Sequence, residues 1–246
     1  MGLFDKFKSY KEKRINSKVE KYVKYVKNPK AIREDRDAAI DFFCSLDDAA
    51  VAAEALLYRF EYSLEHGIND AKEKEKVLNG LVKHGAAILP IVQAHLQKTS
   101  RIAWPIKVLE KIAEDEKTVT DVLKTCLDLN DVSFDQAKVD KNFDILCFLR
   151  EFKLPGFLPS LKHFLSDLDE RVRFAALEVI IEQEESEVPA IVEKFLSDNS
   201  SENTRLRQAA IEAFIERKWP LKNPQVFSTG FVIPGVRVNK QGLLER

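Results

Sequence analysis

Four histidines, three cysteines and a crowd of carboxylates are the side chains of this 246-residue chain that could do chemistry. His66, His84, His95 and His163 never stand at a short ligand spacing from one another or from Cys44, Cys126 and Cys147. A metal site built from one stretch of chain needs such a spacing. Glu182, Glu184, Glu185 and Glu187 fall at a helix end and loop, where a solvated acidic face is the simplest reading. No Walker loop, G-x-G-x-x-G, G-x-S-x-G or H-E-x-x-H occurs. The sequence therefore predicts no catalytic residue, no cofactor and no metal ligand, and points to binding rather than catalysis. The cysteines, odd in number and set in apolar helical patterns, read as buried free thiols of a reducing compartment, hence a cytoplasmic protein.

What remains is charge. Arg36, Arg173 and Arg207 recur at one position of a repeated pattern, and Lys74 and Lys141 stand close to it. These five could form a basic ladder that grips an acidic partner. Alternatively each cation pairs with a turn carboxylate such as Asp167 or Asp198, as a structural ladder. A second concentration lies at the start: residues 1–30 hold ten Lys/Arg against three acids, +7, leaving −8 on the rest of a chain of net charge −1. Lys6, Lys8 and Lys11 open that segment, interleaved with Leu3, Phe4, Phe7, Ile15, Val19, Tyr22, Val23 and Val26. A basic amphipathic helix can dock on an acidic protein groove or an anionic membrane; its plainer reading is a first helix with a solvated lysine face. Met1-Gly2 does not make a myristoylation signal, because Lys6 stands where Ser or Thr is required. No apolar run approaches the ~18 residues of a membrane span, and no apolar signal core follows the first lysines.

The elements that position these charges are repeats. Arg36, Ala38, Ala39, Ile40, Asp41 and Phe43 align without gaps with Arg173, Ala175, Ala176, Leu177, Glu178 and Ile180, and again with Arg207, Ala209, Ala210, Ile211, Glu212 and Phe214. Weaker copies begin at Lys74, Pro105 and Lys141, which gives start spacings of 38, 31, 36, 32 and 34 residues. A period near 34 marks stacked supersecondary units. A second apolar helix precedes each copy, often with a proline in its first turn, as at Pro90, Pro159 and Pro189. The predicted helix pairs are 12–28 with 34–46, 48–65 with 70–84, 87–98 with 101–114, 117–129 with 137–152, 156–167 with 170–184, and 187–198 with 202–218. Beyond Trp219-Pro220, three of the chain's eight glycines and alternating apolar residues predict a small hairpin around Asn239–Gly242.

At Pro159 through Ile180, with Asp167, Arg171-Val172-Arg173 and Ala175-Ala176, the chain resembles the HEAT family in its PBS-lyase HEAT-like form. The resemblance covers roughly residues 12–218 and implies an all-α fold, an α-solenoid of about six two-helix repeats whose second helices line a concave face. The expected organisation is a basic lead-in over 1–11, the solenoid over 12–219, and a C-terminal hairpin or extended cap over 220–246. The function implied is a non-catalytic adaptor or scaffold that binds another protein. The alkylpurine DNA glycosylases share a HEAT-like solenoid and make a nucleic-acid-binding or glycosylase-type enzyme the alternative, with Trp104 and Trp219 as its aromatics. They need a basic concave channel, whereas here the acidic excess lies in the repeats, which argues against nucleic acid, and Trp104 reads as core. An anionic membrane surface, met through the basic N-terminal helix, is the third reading.

Overall fold

The computed structural model describes residues 16–129, 135–197, 200, 203–224 and 235–246. Lys6, Lys8, Lys11 and Asp198 lie outside the described residues, as do Leu3, Phe4, Phe7 and Ile15. The described chain is predominantly helical: α1 (16–27), α2 (Arg33–Cys44), α3 (Ala49–Leu57), α4 (Gly67–Val82), α5 (Leu89–Lys98), α6 (Ala103–Ile112), α7 (Glu116–Cys126), α8 (Gln136–Leu149), α9 (Leu158–Phe164), α10 (Glu170–Ile181), α11 (Val188–Leu196) and α12 (Thr204–Arg217). Two short strands follow, β1 (Arg237–Val238) and β2 (Leu244–Glu245).

Local chemistry sets many of these boundaries. The carboxylates of Asp48, Asp135 and Asp169 accept backbone N–H groups in the first turns of α3, α8 and α10, satisfying donors that have no partner inside the helix. Pro90, Pro159 and Pro189 occupy the first turns of α5, α9 and α11, where a missing N–H costs nothing. The helix expected over 48–65 instead ends at Leu57 and tightens into a 3-10 turn, Tyr58–Glu61. That turn carries Arg59, whose side chain is wholly buried in ion pairs with α4.

The chain divides into two compact units with the boundary between Cys126 and Leu127. In the first unit α2 packs on α3 and α4, α3 on α4 and α5, α4 on α6, α5 on α6 and α7, and α6 on α7. In the second, α10 is central, touching α8, α9, α11 and α12. The interior of the first unit is built on residues such as Ile40, Phe43, Leu56, Val77, Leu81 and Val108, and that of the second on Val172, Leu177, Ile180, Val192, Leu206 and Phe214.

The second alanine of each pair, Ala39, Ala176 and Ala210, is completely buried. The first varies: Ala175 is also buried, Ala209 half-buried and Ala38 exposed. The second is thus the small residue that admits a neighbouring helix in all three. Gly80 serves the same end between α2 and α4: a Cβ there would lie 2.3 Å from Cys44 Sγ and 3.1 Å from its Cβ. The cysteines themselves differ from the expectation of three buried thiols. Cys126 is buried, Cys44 half-buried beside Gly80, and Cys147 exposed, because position 147 falls on the solvent side of α8 between buried Leu146 and Leu149.

The hairpin forms as the C-terminal sequence predicts, with Arg237 opposite Glu245 and Val238 opposite Leu244. Asn239 Oδ1 accepts the N–H groups of Gln241 and Leu243, and Gly242 closes the turn at φ +75°, a conformation that suits glycine. β2 packs on α12, Leu221 N–H bonds Gly242 O, and Trp219 meets Phe214 edge-on. This segment packs against α12 and, through the N–H groups of Lys222 and Asn223 bonded to Glu193, against α11. Leu244 is 3% exposed and its neighbour Leu243 half-buried. Leu244→Ala should therefore lower stability by about 2–5 kcal/mol while Leu243→Ala costs clearly less; equal shifts in urea midpoint would show that the hairpin is not a cap.

Candidate functional site

The sequence-predicted cations come to rest in different places. Arg36 is buried near the start of α2. Its Nε and Nη2 donate to both carboxylate oxygens of Glu73 on α4, at 2.8 and 2.7 Å, and its Nη1 donates to Ala31 O at 2.9 Å. Lys74, also buried, meets Asp70 at 2.8 Å. Arg59 joins them from the 3-10 turn: Nε donates to Glu73 Oε2 at 2.9 Å and Nη2 to Asp70 Oδ1 at 2.7 Å. Five charged side chains from α2, the turn after α3, and α4 thus form one cluster. Lys141 is buried on α8, and Arg207 half-buried on α12. Of the candidate partner-binding residues, Arg36, Lys74 and Lys141 are buried.

Arg173 on α10 is half-buried. Its Nη1 donates to the backbone oxygens of Asp167 and Leu168, and its Nε to Asn203 Oδ1 at 3.2 Å. Asp167 Oδ1 accepts the Asp169 N–H at the entry to α10. Arg36 and Arg173 both reach back to a carbonyl five or six residues earlier and forward to a later helix or its cap. Arg171, two residues before Arg173, pairs with Asp169 and Asp140.

Burial alone would raise the carboxyl groups of Glu73 and Asp70. The bonds from Arg36 and Arg59 to Glu73, and from Lys74 and Arg59 to Asp70, overcome it and hold both below the ordinary carboxylate range. Burial pushes the Tyr62 phenol up, against the pull of Arg59 and Arg36, so it stays protonated and donates to Val26 O at 2.7 Å. These groups fix helices; none faces a ligand.

From this cluster a polar chain runs outward. Ser63 Oγ accepts from Lys74 Nζ and from Arg101 Nη1, the Arg101 N–H donates to Thr99 Oγ1, and Thr99 Oγ1 donates to Glu61 Oε2 at 3.1 Å. Glu61 Oε1 meets His95 Nε2 at 2.9 Å. Glu61, His95 and Thr99 lie in a groove of about 690 Å³ between α3 and α5, walled by Leu57, Tyr58, Pro90, Ile91 and Ala94, with Glu54 and Lys98 also on its lining. A smaller groove of about 450 Å³ lies between α2 and α4, where Lys76 pairs with Asp41 at 2.7 Å. Among the described residues no group of three or more His, Cys, Asp or Glu is placed to hold a metal ion.

Sequence reasoning passed over Glu73, Arg59, Asp70, Glu61 and His95. Arg59 was legible in principle, as a lone cation inside the apolar run from Ala49 to Phe60. Glu61 and His95 had no signal, since 34 residues separate groups that only the α3–α5 contact joins. Trp104, expected in the core, is half-buried, stacked 5.8 Å from Phe60 with Lys107 above it at 4.5 Å.

Removing the charge of Glu73 leaves two buried guanidinium groups undercompensated, so Glu73→Gln should destabilise the protein by about 3–5 kcal/mol, measured by urea unfolding at pH 7. The folded carboxyls of Glu73 and Asp70 titrate below their ordinary values of 4.5 and 3.8. Their contribution is therefore complete above those values and is lost as pH falls through and below them. Stability should drop steeply below about pH 4.5, and the Glu73→Gln variant should show a shallower fall over the same range.

Set against protein-family models, curated proteins and solved structures, the chain matches none of them.

Proposed function

We propose that this chain is a non-catalytic binding module of HEAT-type helix pairs, working as an adaptor or scaffold in the cytoplasm. Its site is the groove between α3 and α5, and its ligand is a segment of another protein that inserts one or two large apolar side chains. The observation that carries this reading is the mixed lining of the groove: Leu57, Tyr58, Pro90, Ile91 and Ala94 offer apolar surface, with Tyr58 41% exposed, beside Glu54, Glu61, His95, Lys98 and Thr99. Glu61 Oε2 accepts from Thr99 Oγ1 at 3.1 Å, a bond that holds the carboxylate in place. Grooves of this size between packed helices accept side chains of a docked segment, the apolar contacts giving affinity and a few fixed polar groups giving register.

The acidic-ligand ladder has less support, since Arg36, Lys74 and Lys141 are buried. A glycosylase-type reading gains no observation either, because the rings of Trp104 and Trp219 lie against Phe60 and Phe214.

The test is selection from a random peptide library against the wild-type chain, with counter-selection on Ala94→Trp. Ala94 is exposed on the groove wall, so the indole fills the groove without touching the core. The expected outcome is a family of peptides sharing a large apolar residue, whose binding falls at least tenfold in Ala94→Trp while its melting temperature stays within about 2 °C, a shift of no more than about 1 kcal/mol. Peptides that bind both proteins equally, or no enrichment at all, would refute the groove as the site.

A further inference from the structure

α1 and the turn after it carry a concentration of positive charge that the groove between α3 and α5 does not use. Lys18, Lys21, Lys24, Lys27 and Lys30 are all exposed, and Glu20 is the one acid between residues 16 and 33. Along an α-helix, steps of three residues turn about −60° each. The four lysines of α1 therefore wrap roughly half of its circumference, opposite fully buried Val26. Their ammonium groups lie over aromatic rings: Lys18 Nζ over Tyr22 and Phe42, Lys21 Nζ over Tyr25, and Lys27 Nζ over Tyr58 at 3.6 Å. In the turn that follows, Ile32 is 67% exposed between Lys30 and Arg33. Arg33 is paired with Asp37 at 3.7 Å, and Glu34 and Asp35 come next, so the positive field belongs to the five lysines.

We infer that α1 and the Ile32 turn form a docking surface for an anionic lipid bilayer, which adjoins the peptide groove at Tyr58, under Lys27. The lysines meet headgroup charges, and Ile32 enters the boundary between headgroups and acyl chains, the pattern by which amphipathic segments lie on a membrane. Two observations favour lipid over nucleic acid. The tyrosines that could stack on bases are occupied, Tyr22 against Phe42 at 5.1 Å and Tyr25 against Tyr22 at 6.2 Å, and base stacking on aromatic rings is the main means of holding single strands. An exposed isoleucine amid lysines has no counterpart in a phosphate backbone, whereas it suits an interface that is charged outside and apolar beneath. No single helix among the described residues is long and apolar enough to cross a membrane, so the attachment is peripheral.

The experiment is co-sedimentation of the full chain with vesicles of phosphatidylserine and phosphatidylcholine, and with phosphatidylcholine alone, in 0.1 and 0.5 M NaCl. Each lysine beside an anionic leaflet contributes about a fivefold factor in partitioning. Lys21→Glu/Lys24→Glu should therefore reduce binding to the anionic vesicles by at least about 25-fold. Ile32→Ser should reduce it by roughly tenfold; it places a favoured N-cap residue before α2, so the helix itself is kept. Binding of the wild type should fade at 0.5 M NaCl, as exposed charges are screened. Helical circular dichroism and melting of each variant establish that it is folded. The inference is overturned by no sedimentation with anionic vesicles, by equal sedimentation with neutral ones, or by folded variants that bind like the wild type. It is equally overturned if duplex DNA is bound in a Lys21- and Lys24-dependent manner while vesicles are not.

Discussion

A single carboxylate, that of Glu73, decides how the first unit is put together. It accepts from Arg36 on α2 and from Arg59 in the turn after α3 while sitting on α4, so three consecutive elements share one anion. In an interior of low polarity each guanidinium costs several kcal/mol to bury, and the arrangement is tolerable only because nearly every donor has an acceptor. The requirement propagates. α3 stops at Leu57 so that the chain can tighten and aim Arg59 inward, and the same tightening brings Glu61 to the wall of the neighbouring groove. Groove and cluster are therefore two ends of one polar chain, joined through Ser63, Arg101 and Thr99.

In the second unit Arg173 on α10 also reaches back to the backbone, donating to Asp167 O and Leu168 O, and forward to Asn203 Oδ1. Arg36, cut off from water, is met by the full countercharge of Glu73.

Helices were legible to within a few residues because their signals are local: apolar spacing, a proline in the first turn, an aspartate at the cap. Pro159 and the Ala175-Ala176 pair announce α9 and α10 directly. The hairpin was legible through Asn239 and Gly242 for the same reason. The boundary at Cys126 and the early end of α3 were not, since both depend on which distant side chains meet. The candidate groove was the least legible part. Its carboxylate and imidazole come from different helices, and a histidine at a half-exposed position looks the same in sequence whether it lines a groove or not. Arg36 and Lys74 were correctly seen as special, but periodicity reports that a position is constrained and is silent on whether solvent or protein constrains it.

The absence of a side chain at Gly80 has a consequence for sequence drift. With Cys44 Sγ resting where a Cβ would stand, residues 44 and 80 share one small volume between α2 and α4. A larger group at either position is accommodated only if the other shrinks, so the two sites should change together or not at all. Burial also pushes the Cys44 thiol up, which keeps it protonated and slow to react, leaving shape rather than reactivity as its contribution. In a lineage of such chains, a glycine-to-alanine change at 80 accompanied by loss of the sulfur at 44 would record that the spacing of these two helices, and not a thiol, is what inheritance preserves.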